Sequence, residues 1–282
     1  MLTLLEIIKR TTDFLQTKGV ESARLNAELI VGHALGLPRM QLYLQFERLL
    51  AEAELEKIRP LVKRRGQREP LQYVLGGTEF FRLKLKLDRR ALIPRPETEQ
   101  LCELITQRVP APPAAILDLG TGSGAIALAL AAFYPSSAVT AVDLSAEALG
   151  LARENAEALG LGERVRLVQS DWFASLAPGS AFDLIVANPP YLSEQEAAEA
   201  APEVRDFEPR GALTPGKDGT GALARIVADT PQFLASGGML ALETGIAQHA
   251  FLKDRAQAAG LGRVESLRDL AGRDRHLLAW WN

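Results

Sequence analysis

The sequence predicts an α/β fold with a mostly parallel sheet, preceded by a small N-terminal helical bundle and a β-hairpin linker. Three observations predict it. From Ala115 onward, short apolar and β-branched segments alternate with longer stretches of helical spacing, the pattern of parallel strands joined by right-handed crossovers. Before residue 69 only helical periodicity is present. Between these regions, Phe81-Arg-Leu-Lys-Leu-Lys-Leu-Asp88 changes period, with Phe81, Leu83, Leu85 and Leu87 alternating with polar residues as in a half-buried strand.

In the N-terminal region, Leu4, Leu5, Ile8, Phe14 and Leu15 keep helical spacing, as do Leu25, Leu29, Ile30 and Ala34. Breaks fall at Lys18-Gly19 and at Gly36-Leu37-Pro38, where glycine and proline end helices. A polar-faced helix spans Ala51 to Arg68. The alternating segment then reads as part of a hairpin, and Ile93-Pro-Arg-Pro-Glu-Thr-Glu99 interrupts regular structure before a helix near Glu97. Strands are expected at Ala115 to Leu119, Ala138 to Val142, Val165 to Gln169, Phe182 to Ala187, Met239 to Leu242 and His276 to Trp281. The helices between them are Ala125 to Phe133, Ala146 to Leu159, Gly221 to Leu234 and Ala247 to Ala259. The expected organisation is a helical domain over 1–75, a hairpin linker over 76–95 and an α/β domain over 96–282.

Bulk properties narrow the function. Of 282 residues, 47% are hydrophobic and 24% charged, as in soluble globular proteins. No apolar run approaches the roughly 20 residues that span a bilayer, so no membrane association is expected. The first ten residues place their basic charges after the apolar ones, the wrong order for a secretion signal. The single cysteine, Cys102, fits a reducing, cytoplasmic compartment and reads as a small buried helix residue. The net charge of −3 argues against a protein that binds nucleic acid stably through phosphates. Through Leu75, however, 12 basic against 9 acidic residues give a local +3, mostly from Lys63, Arg64, Arg65 and Arg68. That cluster is either a solvated helix face or a docking site, the former being the commoner case.

Chemistry begins at the first strand of the α/β region, which runs into Asp118-Leu-Gly120-Thr121-Gly122-Ser123-Gly124 and then a helix. Glycines let the chain turn tightly and bring main-chain N–H groups close to a ligand, and a loop at the carboxyl end of a strand is where open α/β sheets bind nucleotides. The Gly-x-Gly-x-Gly spacing is neither the Gly-x-Gly-x-x-Gly of dinucleotide folds nor a phosphate-binding loop with its Gly-Lys-Ser/Thr. An acid just before the glycines disfavours pyrophosphate but suits a ligand carrying an ammonium and a sulfonium, such as S-adenosylmethionine. The pattern resembles the first motif of the class I (Rossmann-like) methyltransferases, and that resemblance implies that Asp118 lies near the methionine part of the ligand. The second strand ends in Asp143, 19 residues past Gly124, placed to accept from both ribose hydroxyls. After the third strand comes Ser170-Asp171-Trp172. The resemblance implies that Asp171 bonds the adenine edge while Trp172 offers a stacking face, with core packing as the alternative for the indole.

The strand Phe182 to Ala187 delivers Asn188-Pro189-Pro190-Tyr191. Two prolines end strand pairing, the residue before proline is held extended, and this stretch presents mostly acceptors. An amide nitrogen is a poor nucleophile because its lone pair is delocalised. As it attacks a methyl group it gains positive character, and its N–H groups become stronger donors. The Asn188 oxygen and the Pro189 carbonyl can accept them, favouring the transition state over the ground state, while Tyr191 can wall the planar amide into line. His33, His249 and His276 are scattered, and no metal-ligand cluster is expected.

Asn-Pro-Pro-Tyr in this position is shared with methyltransferases of planar nitrogens. Ile93 to Glu99, Pro202-Glu-Val, Phe207-Glu-Pro209, Asp218-Gly219 and Asp269-Leu-Ala-Gly-Arg-Asp-Arg275 together resemble the release factor glutamine methyltransferases of the HemK/PrmC type, over essentially the whole chain. The resemblance implies S-adenosylmethionine-dependent methylation, with S-adenosylhomocysteine as product. The acceptor would be N5 of the glutamine in the Gly-Gly-Gln loop of class I peptide chain release factors, docked by the N-terminal helices. Asn188, Pro189, Pro190 and Tyr191 would form the substrate site, Asn188 also bordering the cofactor. Two positions depart from the family pattern: Arg82 stands where a small residue is expected, and Pro215 interrupts a glycine-rich run. Alternatives from the same residues are a ribosomal-protein glutamine methyltransferase, an exocyclic-amine methyltransferase of DNA or RNA, and a non-enzymatic S-adenosylmethionine sensor.

Overall fold

A computed structural model describes residues 2–281. Its chain order is α1 (Leu4–Thr17), α2 (Ala23–Leu35), α3 (Arg39–Tyr43), α4 (Glu52–Gly66), α5 (Leu71–Leu75), β1 (Gly77–Phe80), β2 (Leu83–Lys86) and α6 (Pro96–Arg108). Then come β3 (Ala115–Leu119), α7 (Ala125–Phe133), β4 (Ala138–Asp143), α8 (Ala146–Ala158), β5 (Val165–Gln169) and β6 (Phe182–Ala187). After these lie α9 (Glu194–Glu199), α10 (Pro202–Phe207), α11 (Arg210–Leu213), α12 (Gly221–Asp229), β7 (Leu234–Glu243), α13 (His249–Ala258), β8 (Arg263–Arg268) and β9 (Asp274–Trp280). Two compact units result: one runs through Gly77 and takes in Ala201–Phe207, the other holds Thr78–Ala200 and the chain from Glu208 onward.

The first unit is helical. Thr3 and Glu6 close a reciprocal capping box on α1, each satisfying an otherwise orphaned N–H of the first turn. Leu4, Ile8, Leu15, Ile30, Val31 and Leu42 make its core, whereas Phe14 and Leu25, which share the helical spacing, remain more than a third exposed. The basic cluster is engaged within this unit rather than free. Arg64 pairs with Glu69, and Arg65, only 5% exposed, bonds Asn26 Oδ1 at 2.7 Å and Glu203 at 2.9 Å. Arg68 grips both oxygens of Glu203 at 2.7 Å. These contacts hold the 201–207 segment in the helical unit, because a buried guanidinium needs a charged or carbonyl partner.

In the second unit, seven strands are ordered β5-β4-β3-β6-β7-β9-β8, with β9 antiparallel to both neighbours. The strand β8 was not evident in the sequence; its edge position leaves it half-buried throughout, without clear alternation. Alternate residues of β3 enter the two cores, Ile116 on one face, Leu117 and Leu119 on the other. The hairpin corrects one expectation. Phe81 is not in a strand: Phe81 and Arg82 form the turn between β1 and β2, with φ of 47° and 66°. Two-residue hairpin loops of type I′ demand positive φ at both positions, and here no Asn-Gly pair advertises the turn. Asn155 of α8 pins β2, accepting from Lys86 N at 2.7 Å and donating to the Ser123 carbonyl at 2.9 Å.

Register places the loops that matter. Leu119 pairs with Val142 on one side and Ala187 on the other, and Ala187 pairs with Leu242. The next residue of each strand lies on one row at the sheet's carboxyl edge: Gly120, Asp143, Asn188 and Glu243. Strand order reverses between β3 and β6, the switch point at which open α/β sheets form a crevice.

Candidate active site

A cavity of about 470 Å³ opens at that switch point, within the size range of small-molecule sites. Its wall includes Gly120, Thr121, Gly122 and Ser123 of the glycine loop, Asp143, Asp171, Trp172, Asn188 and Pro190. Gly124, Pro189, Tyr191 and Asp118 each lie within two residues of a lining residue but are not themselves part of the wall. The wall also takes in residues that the motifs did not point to, among them Arg90, Leu92, Thr98, Ser145 and Pro209.

The loop is built from β3 and β4 together. Gly120 N and Thr121 N both donate to the Val142 carbonyl at 2.9 Å, and Gly122 N donates to Asp143 Oδ2 at 2.8 Å. Gly124 turns into α7 with φ of 84°, and a Cβ there would meet Leu128 at 3.0 Å, so glycine is required on both counts. Asp143 Oδ1 accepts from Ser145 N at 2.9 Å. Burial raises this carboxyl above its ordinary value.

Asp118 does not line the cavity and is fully buried. Its Oδ2 accepts from Thr121 Oγ1 at 2.6 Å and from Ala127 N at 3.1 Å, tying the loop to the first turn of α7. Its Oδ1 is buried with no partner among the described residues. Burial lifts this carboxyl from 3.8 to about 7, against the lowering pull of the Thr121 and Ala127 hydrogen bonds. A carboxyl raised on folding binds a proton that the unfolded chain releases. Its stabilising contribution is therefore present at acid pH and is lost as the pH climbs to about 7. Asp118→Asn should flatten that part of a thermal-stability profile recorded from about pH 5 to about pH 8. A profile superimposable on that of the parent protein would show that Asp118 does not titrate in this way.

Asp171 is half-exposed and ion-paired with Arg225 of α12 at 2.7 Å. Trp172 adopts φ of 54° and lays its ring near Gly120, where a Cβ would lie 3.4 Å from the indole. The same ring packs against the core on this face of the sheet, so the wall role and the packing role coexist.

The Asn188 motif is buttressed from behind. Asn188 Nδ2 donates to Thr98 Oγ1 at 3.0 Å, and Thr98 Oγ1 donates to Glu243 Oε2 at 2.6 Å. Tyr191 OH donates to Glu243 Oε1 at 3.0 Å, and the Arg275 guanidinium lies over the Tyr191 ring at 5.6 Å. The Tyr191 hydroxyl is thus directed to Glu243, and the residue is not part of the cavity wall. Gln248 Nε2 bonds the carbonyls of Tyr191 and Gly219 at 2.9 and 3.2 Å. At Gly219 a Cβ would fall 2.4 Å from the Tyr191 carbonyl, so only glycine permits this approach. The 93–99 segment is fixed in turn, since buried Glu208 accepts from Ile93 N and from Arg95, and Glu97 meets Arg273 and His276. Among the described residues no group of three or more His, Cys, Asp or Glu side chains is arranged to hold a metal ion. No helix among them is long and apolar enough to cross a membrane.

Comparison with known proteins follows this geometry closely. Residues 6–76 match the family described as PrmC N-terminal domain, and residues 97–204 match the Methyltransferase small domain. A Rhodopirellula baltica protein named release factor glutamine methyltransferase is 42% identical over 98% of this chain and 95% of its own length. The chain belongs to the release factor glutamine methyltransferase family. Two further members bracket it. The Moorella thermoacetica protein is 42% identical over 99% of both chains, and that of Vibrio cholerae 39% identical over 97% of this chain and 95% of its own. Among solved structures, a methyltransferase from Pyrococcus furiosus superposes with a TM-score of 0.54 at 22% identity, covering 70% of this chain and 88% of that one. The hMettl16 catalytic domain in complex with MAT2A 3′UTR hairpin 6 gives 0.59 at 18% identity, covering 78% and 81%. At these identities the likeness is one of fold, and it confirms the class I methyltransferase architecture. For this family member, the site's residues suit S-adenosylmethionine. The Asp143 carboxylate on the wall offers acceptors to a ligand carrying O–H and N–H donors, and the rest of the wall is largely apolar.

Proposed function

We propose that this protein transfers a methyl group from S-adenosylmethionine to the side-chain amide of a glutamine in a peptide chain release factor. The acceptor is N5 of the glutamine in the Gly-Gly-Gln motif of class I release factors. The observation that carries this reading is the row Gly120, Asp143, Asn188 at the carboxyl edge, with the Asn188 amide nitrogen tied back to Thr98. Its oxygen is thereby left for a substrate N–H. The ligand supplies an electrophilic methyl when bound. The chain supplies the rest: the glycine loop, braced from beneath by Asp118, holds the amino-acid end, Asp143 holds the ribose, and Asp171 with Trp172 border the adenine. Asn188 Oδ1 and the Pro189 carbonyl accept the two amide N–H groups as they become stronger donors. The N-terminal helical unit docks the release factor, in the cytoplasm where termination occurs.

Mass spectrometry after incubation with S-adenosylmethionine tests this. Purified release factor, a ribosomal-protein mixture and nucleic acid are compared under one condition. The expected product is one added methyl group on the Gly-Gly-Gln glutamine. Methylation of a ribosomal-protein glutamine alone, or of a base alone, would overturn the assignment.

A further inference from the structure

Asn188 can serve as an acceptor only if its amide is held the right way round, because a flip of half a turn would present NH2 to the substrate instead of oxygen. Shape does not decide between the two orientations; hydrogen-bond polarity must. Two side chains to which no motif assigned a role stand next to Asn188, Glu243 on β7, outside the cavity wall, and Thr98 on α6, within it. Glu243 is 1% exposed, and its two oxygens are each met by a hydroxyl, Thr98 Oγ1 at 2.6 Å and Tyr191 OH at 3.0 Å. Thr98 is 3% exposed and stands between Glu243 and Asn188.

We infer that Glu243 and Thr98 are positioning residues that set the amide orientation of Asn188. An ionised carboxylate only accepts, so the one proton of the Thr98 hydroxyl is spent on Glu243. Toward Asn188 the threonine then presents lone pairs alone. Only the NH2 edge of Asn188 can satisfy them, and its oxygen is driven to the cavity side. The other carboxylate oxygen takes the Tyr191 hydroxyl, so a single buried charge fixes both ends of Asn188-Pro-Pro-Tyr191. Register makes this possible, since Ala187 pairs with Leu242 and sets Asn188 beside Glu243. Burial raises the Glu243 carboxyl above its ordinary value, and the hydrogen bonds from Thr98 and Tyr191 and the Arg275 guanidinium above the Tyr191 ring oppose that rise. Thr98 and Glu243 need not touch the reacting atoms; they act through Asn188.

This inference rests on the acceptor role proposed above for Asn188, and the test separates the two. Thr98→Val keeps the shape and removes the hydroxyl; Thr98→Ser restores it. Methyl transfer to release factor is measured for both, for Asn188→Ala and for the double variant T98V/N188A. Cofactor affinity is measured by calorimetry and folding by thermal melting. Thr98→Val should lower kcat about tenfold or more, the scale of a misdirected hydrogen bond at the reacting group, with KM and cofactor affinity within about twofold. Thr98→Ser should recover to within about threefold of the parent rate. The double variant should be no slower than Asn188→Ala alone, because groups acting through one another do not add. Full activity in Thr98→Val, or losses that add in the double variant, would overturn the inference while leaving Asn188's role intact. Full activity in Asn188→Ala would instead remove the acceptor role itself. Should Thr98→Val fold poorly, Glu243→Gln provides the second measurement. Its amide can donate to Thr98, reversing the polarity, so an unchanged kcat there overturns the inference equally.

Discussion

Asn188→Ala should lower the methyl-transfer rate by at least roughly 10²-fold, the cost of one preorganised acceptor that strengthens only in the transition state. The geometry explains why the loss falls on rate rather than on cofactor binding. Asn188 contributes one side chain to the cavity wall, whereas the glycine loop and Asp143 are held by their own bonds to the Val142 carbonyl, Gly122 and Ser145. Removing the amide leaves those bonds intact. Single-turnover rates and calorimetric affinity for S-adenosylhomocysteine separate the two effects. Equal losses in rate and affinity would show that Asn188 holds the cofactor rather than the transition state. Folding should be little affected, since Asn188 is only partly buried and Thr98 retains Glu243 as a partner.

The parts of this site legible in the sequence are those carried by residues adjacent in the chain. Asp118 to Gly124, Asp143 and Asn188 to Tyr191 each follow an apolar strand directly, so strand recognition alone places them at one edge. The fold class was legible from the alternation of strands and helices, and family membership from separated motifs in family order. What was not legible depends on pairings between distant segments. The Thr98–Glu243 bond joins residues 145 positions apart, and its existence follows from the packing of α6 on β7, not from either local pattern. The Lys63–Arg68 cluster is similar: three of its arginines are committed to Glu69 or to Glu203, the latter more than 130 residues away. The Tyr191–Glu243 bond is another such pairing, since local sequence does not reveal the buried carboxylate that draws the hydroxyl. The turn at Phe81-Arg82 escaped notice because its positive φ values are borne by residues that rarely adopt them.

Asp143→Ala should cost on the order of 2 kcal/mol of cofactor affinity, roughly 30-fold, since a charged acceptor for two ribose hydroxyls is lost. Two consequences follow from its bonds. Asp143 Oδ2 holds Gly122 N and Oδ1 holds Ser145 N, so alanine also releases the middle of the glycine loop and the start of α8. Part of the lost affinity is therefore loop ordering that binding must then supply. Asp143→Asn separates the contributions. Its one remaining oxygen can still accept from Gly122 N, but its NH2 cannot accept from Ser145 N or from a hydroxyl. The asparagine variant should fall between parent and alanine in affinity and lie closer to the parent in thermal stability. Because burial raises the Asp143 carboxyl, acidification should weaken binding in the parent sooner than an unperturbed aspartate would, and this dependence should vanish in Asp143→Asn. Calorimetry at several pH values reads both effects. Unchanged affinity in Asp143→Ala would remove this residue from the ribose site, and an unchanged pH dependence in Asp143→Asn would assign the titration to another group. The rate at saturating cofactor should change much less than the affinity, because Asp143 and Asn188 flank the glycine-loop strand on opposite sides, which on the proposed function puts one at the methyl donor and the other at the acceptor.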